Sequence, residues 1–265
     1  MKRVLFFDSG VGGLSIYKAA REANPGIESY YLFDNEGFPY GEKKEDFLIA
    51  RVDHILDSAQ KRFLPDAVVV ACNTASTVVL PSLRASISTP VIGVVPAIKP
   101  ACLMSRKKIV ALLATPGTVS RAYTLKLIDT WANGCKVLRL GSAELARIAE
   151  ERLSGKVVDL EQVKKILKPL IDLEDSERPD IVVLGCTHYP FIRDVLMRLL
   201  PDMSFMDSGE AIGRRVADIL SHVKEHAGRE HTEDRAFYTG ELKHYEDRFE
   251  MVRSLGFKSL EQFKL

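Results

Sequence analysis

Long apolar runs are missing from this sequence of 265 residues. No window approaches the ~18 consecutive apolar residues of a membrane span. The N-terminal run Val4, Leu5, Phe6, Phe7 stops at Asp8, too short for the core of a signal peptide. The chain is therefore expected in the cytoplasm, with no membrane partner. Net charge is scarce as well: Lys+Arg number 37 against Asp+Glu 36, a formal charge of +1. A broad nucleic-acid footprint would need a strongly basic domain, so no nucleic-acid partner is expected, although a small basic pocket for an acidic metabolite remains open. Cysteine is sparse, at Cys72, Cys102, Cys135 and Cys186, and no CxxC pair exists to build a zinc ribbon or a thioredoxin-type motif. In a reducing compartment these thiols are expected to stay free. The stretch AspSerGlyValGlyGly at 8–13 lacks the third glycine of GxGxxG and the GlyLysSer/Thr ending of a Walker A loop. HisValLysGluHis at 222–226 fits the inverted zinc-peptidase pattern. It sits at a helix end beside the polar tract 224–235, without a third ligand in a matching context, so no metal site is expected.

What is present is a regular alternation. Short apolar segments at 3–7, 29–33, 67–71, 91–95, 108–114, 135–140, 180–184 and 203–206 read as strands. Helical spacing covers 13–23, 45–63, 76–86, 118–131, 142–153, 160–173, 189–199 and 209–226. Pro81, Pro190 and Pro201 are placed near helix starts or just past helix ends. Alternating strands and helices predict an α/β fold of mostly parallel, doubly wound sheets with helices on both faces. With 46% apolar residues the chain can fill two cores.

The second half repeats the grammar of the first. PhePheAspSerGlyValGly at 6–12 parallels LeuLeuAlaThrProGlyThr at 112–118, and AlaCysAsnThr at 71–74 parallels GlyCysThrHis at 185–188. Two similar domains are expected, 1–95 plus 208–265 and 96–207. The chain would cross between them at 93–100 and return near 207–210.

Cys72 and Cys186 each follow a β-branched run, at the strand end where open α/β sheets bind ligands. A lone buried cysteine usually serves as a small hydrophobe. Two at matching points of matching repeats suggest an enzyme needing the same group twice. A thiol with a pKa of about 8.5 works as base or acid near neutrality. Two of them facing across a cleft can remove a proton from one side of a carbon and deliver one to the other. Asp8, at the end of the first strand, is placed to serve Cys72, and His188 to relay protons for Cys186. The loop PheProTyrGly at 38–41 reads either as a plain turn or as a rigid holder of a carboxylate, through Gly41 and the Tyr40 region. Glu150, in AlaGluGlu at 149–151, reads on spacing alone as part of a solvated helix face.

AspSerGlyValGlyGly, ProTyrGly, AlaCysAsnThrAlaSer and GlyCysThrHisTyrPro occur in that order. With them, essentially the whole chain resembles the glutamate racemases of bacterial cell-wall synthesis. The resemblance implies two α/β domains related by a pseudo-twofold axis, with the active site in the cleft between them. It implies cofactor-independent interconversion of L- and D-glutamate, supplying D-glutamate to peptidoglycan. Cys72 would then take the α-proton from D-glutamate and Cys186 from L-glutamate. Asp8 would assist the first thiol, and His188 with Glu150 the second, Glu151 being an adjacent rival. Asp8, Ser9, Tyr40, Gly41, Asn73, Thr74, Thr187 and His188 would bind substrate, with Thr115 and Thr118 as further contacts. GlySerAlaGlu, PheProTyrGlyGluLys and ValValProAlaIleLysPro look most like the enterobacterial type, which can require the activator UDP-N-acetylmuramoyl-L-alanine. A homodimer is also implied. The competing readings are an aspartate racemase, a single-thiol hydrolase or decarboxylase built on Cys186 and His188, and a two-lobed binding protein without turnover.

Overall fold

In the computed structural model, which describes residues 1–224 and 233–265, every strand pairing is parallel. The chain runs β1 (Arg3–Asp8), α1 (Leu14–Ala23), β2 (Glu28–Phe33), α2 (Glu45–Phe63), β3 (Ala67–Val70), α3 (Asn73–Ser86), β4 (Val91–Gly93) and α4 (Ile98–Met104). It continues through β5 (Ile109–Ala114), α5 (Pro116–Ser120), α6 (Ala122–Trp131), β6 (Lys136–Gly141), α7 (Ala143–Leu153), α8 (Leu160–Ile171), β7 (Ile181–Gly185), α9 (Arg193–Leu199) and β8 (Ser204–Met206). It closes with α10 (Gly209–His222), β9 (Arg235–Tyr238), α11 (Tyr245–Ser254) and β10 (Ser259–Gln262).

The strands form two sheets, β10-β9-β2-β1-β3-β4 and β6-β5-β7-β8. The second is the four-strand core of the first repeated: β2-β1-β3-β4 and β6-β5-β7-β8 share one order. This gives the doubly wound α/β fold that the alternation predicts, with the two-unit repeat visible in its topology. Strands covered on both faces must be apolar on both faces, and β3, AlaValValVal, is buried throughout. Val4, Phe6 and Val69 enter the core on one face of the first sheet, while Leu5, Phe7 and Val70 enter the core on the other. The edge strand β6 has exposed and half-buried residues only.

β9 and β10, which no apolar run announces, extend the first sheet beyond β2. SerLeuGluGln of β10 is polar because the strand lies at the sheet edge. The chain passes to the second sheet between Gly93 and Ile98 and comes back between Met206 and Gly209. The two crossings are tied together by the Ser208 hydroxyl, which donates to the Val95 carbonyl at 2.6 Å.

Three local expectations need correction. Pro81 lies inside α3, not near its start. The helix begins at Asn73, because the Cys72 sulfur caps it, and Pro81 is on an exposed face where water can serve the carbonyl that its ring leaves without a donor. The helix expected at 118–131 is two helices, broken at Arg121, whose backbone is extended. The segment 189–199 opens as a 3₁₀ turn before α9. α4 and α11 were not foreseen. Of the HisValLysGluHis pattern, His222 ends α10, while Glu225 and His226 lie outside the described residues, as does most of the polar tract 224–235.

Candidate active site

In a 2-1-3-4 sheet the connections leave β1 and β3 toward opposite faces, and a crevice opens between their carboxyl ends. Asp8 ends β1, and Cys72 follows β3. In the repeat, Thr115 follows β5 and Cys186 follows β7. Each thiol thus sits at the switch point of its own sheet. One small cavity is lined by both, together with Asp8, Ser9, Tyr40 and Gly41. Asn73, Thr74, Thr115, Thr187 and His188 complete the group of expected residues found there. Thr118 and Glu150 do not line it but bond to residues that do, Thr118 to Thr74 and Thr115 and Glu150 to His188. The cavity measures about 20 Å³, room for roughly one water, so an amino acid enters only if the walls part.

The walls belong to both sheets and are tied across. The Thr74 and Thr115 hydroxyls lie 2.9 Å apart, with Thr118 bonded to both. Arg121, at the break between α5 and α6, donates from Nη1 to the Thr74 carbonyl at 2.7 Å and to the Thr77 hydroxyl. Ser15 donates to the Thr187 carbonyl at 2.8 Å. A Cβ on Gly41 would stand 2.7 Å from the Thr115 Cβ, so only glycine allows these loops to approach so closely.

The Cys72 side is built on Asp8. Its Oδ1 accepts from the Ser9 amide at 2.7 Å, and its Oδ2 from the Gly13 amide at 2.5 Å and the Thr187 hydroxyl at 3.2 Å. Ser9 Oγ lies 3.9 Å from the Cys72 sulfur, which itself accepts from the Ala75 amide at 3.5 Å. Burial pushes the Asp8 carboxyl up, against the opposing pull of His188 and the hydrogen bonds it accepts. Burial also pushes the Cys72 thiol well up, with the Asp8 charge adding to it and the Ala75 amide opposing. Both groups therefore hold protons more firmly than they would in water.

The Cys186 side is a relay. The sulfur lies 3.8 Å from His188 Nδ1, and His188 Nε2 lies 2.6 Å from Glu150 Oε2. Burial works against a charged imidazole, yet the hydrogen bonds to Cys186 and Glu150 hold His188 protonated well above its usual range. For Glu150 burial favours the neutral acid, but His188 and Arg248 outweigh it and keep the carboxylate low. The two form a buried ion pair beside the second thiol. The solvated-face reading of Glu150 is thereby corrected: it turns inward, while Glu151 reaches Lys156 at the surface.

Tyr40 lines the cavity with its hydroxyl turned away from it. Its hydroxyl donates to Asp34 Oδ2 at 2.6 Å, and Arg51 and Thr239 bind the same carboxylate. The hydroxyl is spent on bracing the loop, which leaves Gly41 as the residue suited to meet a carboxylate through its backbone. Sequence reasoning missed Arg248, 3.0 Å from Glu150 Oε1, and Phe38, whose ring centroid lies 5.6 Å from that of His188. It also missed the close seat of His188 over Gly12, where a Cβ would meet Nδ1 at 2.2 Å. Among the described residues no group of three or more His, Cys, Asp or Glu side chains is arranged to hold a metal.

Two thiols share one cavity, each beside its own titratable partner, an arrangement suited to acid–base chemistry on one carbon from two sides. The family of Asp/Glu/hydantoin racemases matches residues 14–215. The chain is similar to the glutamate racemase of Klebsiella pneumoniae (strain 342), with 47% identity over 99% of this chain and 92% of that protein. Among solved structures, Escherichia coli glutamate racemase in complex with L-glutamate and the activator UDP-MurNAc-Ala superposes with a TM-score of 0.94 at 45% identity, covering 99% of this chain and 98% of that one. The glutamate racemase isoform RacE1 of Bacillus anthracis gives 0.81 at 28% identity, over 100% and 97%. The chain belongs to the Asp/Glu/hydantoin racemase family.

Proposed function

We propose that this protein interconverts L- and D-glutamate without a cofactor, by a two-thiol mechanism, and so supplies D-glutamate for peptidoglycan. One observation carries the mechanism: two buried thiols at equivalent points of repeated sheets line one cavity, each with a different proton partner. A thiolate at Cys72 takes the α-proton of D-glutamate, and the electron pair spreads into the α-carboxylate. The Cys186 thiol then gives its proton to the opposite face, producing L-glutamate. The reverse reaction exchanges the roles. Asp8 receives and returns the Cys72 proton, and His188, held by Glu150, does so for Cys186.

A carbanion-like transition state needs fixed donors and exclusion of water. Ser9, Gly41, Thr74, Thr115 and Thr187 supply donors around the cavity, and Thr118 fixes two of them. Asn73 Oδ1 is buried without a hydrogen-bond partner, and a substrate ammonium would satisfy it. The lobes taken to close on the substrate are 1–95 with 208–265 and 96–207. The similarity to the activator-bound E. coli structure supports response to UDP-N-acetylmuramoyl-L-alanine. A homodimer and a cytoplasmic location complete the proposal. No helix among the described residues is long and apolar enough to cross a membrane.

The test is incubation with L-glutamate in deuterated water, with and without the activator, following circular dichroism and the α-proton by NMR. Loss of optical activity with deuterium at the α-carbon supports the reading. Exchange with aspartate alone would move the substrate to aspartate. Cys72→Ser and Cys186→Ser should each lose nearly all racemisation, and wild-type turnover in either overturns the two-thiol mechanism.

A further inference from the structure

We propose that Arg248 is a positioning residue that fixes the Glu150 carboxylate on His188 and so serves the proton transfer at Cys186 but not the one at Cys72. This inference rests on the two-thiol reading. Glu150 is carried by α7, beside the second sheet, yet two of its three partners come from elements of the first. Oε1 takes Arg248 Nη2 from α11 at 3.0 Å. Oε2 takes His188 Nε2 at 2.6 Å and the Val11 amide at 3.3 Å. The carboxylate is thereby held at both oxygens.

A terminal carboxylate torsion is broad and soft when nothing fixes it. Here it has somewhere to go. Glu150 and Arg248 both line a second cavity of about 410 Å³, together with Gly10 and Phe38. Without the guanidinium, Glu150 can swing toward that space and release His188 Nε2. A purely stabilising role fits the structure poorly. Arg248 Nη1 is buried with no hydrogen-bond partner, a costly arrangement for a cation whose gain is one ion pair. Asp8 has its own hydrogen-bond partners in Ser9, Gly13 and Thr187, none of them shared with Arg248, and meets His188 through its charge alone, so the effect should fall chiefly on the Cys186 side.

Racemisation itself hides such an asymmetry. The enantiomers have equal free energy, so kcat/KM is the same in both directions for every variant. A half-reaction exposes it. From 3-chloroglutamate, one thiolate removes the α-proton, and the C–H electrons form the Cα–Cβ double bond as chloride leaves with the C–Cl pair. Water then hydrolyses the enamine to 2-oxoglutarate and ammonium. Each enantiomer needs one thiol alone, and Cys186→Ser identifies which form depends on Cys186.

For that form, Arg248→Met should lower the elimination kcat about 10- to 100-fold, the usual scale for a displaced catalytic group. The other form should stay close to wild type. Arg248→Lys, which keeps the charge within reach, should recover part of the loss with the same one-sidedness. Equal losses from both forms in either variant, or no loss in Arg248→Met, overturn the inference while leaving the two-thiol reading in place. Elimination from neither form by the unsubstituted protein overturns that reading and the inference with it.

Discussion

Replacing Gly12 by alanine should cripple one half of the reaction. The added Cβ would stand 2.2 Å from His188 Nδ1, 2.5 Å from Cε1 and 2.6 Å from Cγ. Ordinary contact begins at 3.4 Å, so the ring must retreat by 3.4 − 2.2 = 1.2 Å or the loop must give way. The ring has little room, because Nε2 is held by Glu150 at 2.6 Å and the Phe38 ring stands against it. Overpacking of this kind costs about 1–3 kcal/mol, which a folded domain survives. The backbone at Gly12 is not left-handed, so the effect is steric and falls on the atom that faces the Cys186 sulfur at 3.8 Å. A displacement of about 1 Å at such a group can cost roughly 100-fold in rate. Chloride release from each enantiomer of 3-chloroglutamate is the assay, with deuterium wash-in to glutamate beside it. The Cys186-dependent form should slow by that order. Gly13→Ala, whose Cβ would meet Asp8 Cβ and the Tyr31 hydroxyl at 2.8 Å, should slow the other form instead. Gly26, with nothing within 4 Å of its Cβ position, supplies the neutral control. Wild-type elimination from both forms in Gly12→Ala, or equal loss from both, would refute the reasoning.

Glu150 is held below its ordinary range in the folded protein. Its charge therefore adds stability above the unfolded carboxylate pKa, and that contribution is lost as pH falls through the lower folded value. Glu150→Gln should melt well below wild type at neutral pH, by about 3 kcal/mol for a broken buried pair, and the two melting curves should converge on acidification. A gap that stays constant with pH would show that the pair contributes nothing through its charge. Asn73→Leu removes a buried acceptor without a partner. It should stabilise the free protein by about 1 kcal/mol while raising KM for glutamate, as read by melting temperature and initial rates. Lower stability with unchanged KM would argue against an ammonium site there.

The parts of the site that lay open in the sequence are those built from one continuous segment. ValValVal before Cys72 and IleValValLeu before Cys186 must be strands buried on both faces, and a strand end in a parallel sheet is a site by construction. Asp8 was readable for the same reason. Direction was harder than position. Tyr40 stands in the expected loop, but its hydroxyl turns to Asp34, and no local spacing encodes that choice. Apolar periodicity alone starts this helix at residue 76 and so puts Pro81 too near its beginning. The sulfur of Cys72 caps the helix three residues earlier, a role for which serine, threonine, aspartate and asparagine are the usual signals.

What stayed hidden depends on contacts between segments far apart in the chain. Glu150 and Glu151 are neighbours on α7, about 100° apart around its axis, and which one turns inward is decided by His188, Val11 and Arg248 together. α11 is only weakly amphipathic, so Arg248 looked like one charge among many. The repeat explains this division. Duplicated sheets place equivalent thiols, and duplication is visible as repeated text. The neighbours are not duplicated: Asp8 belongs to the strand beside Cys72, whereas Cys186 stands at the end of a chain of contacts through a histidine, a glutamate and an arginine from three separate elements. The first thiol is therefore equipped mainly within one sheet, with Thr187 the bond Asp8 takes from the other, and the second only where the lobes meet. Opening the cavity should then disturb the Cys186 half more than the Cys72 half, since parting the walls separates Glu150 from both Arg248 and Val11, whereas Asp8 loses Thr187 but keeps Ser9 and Gly13.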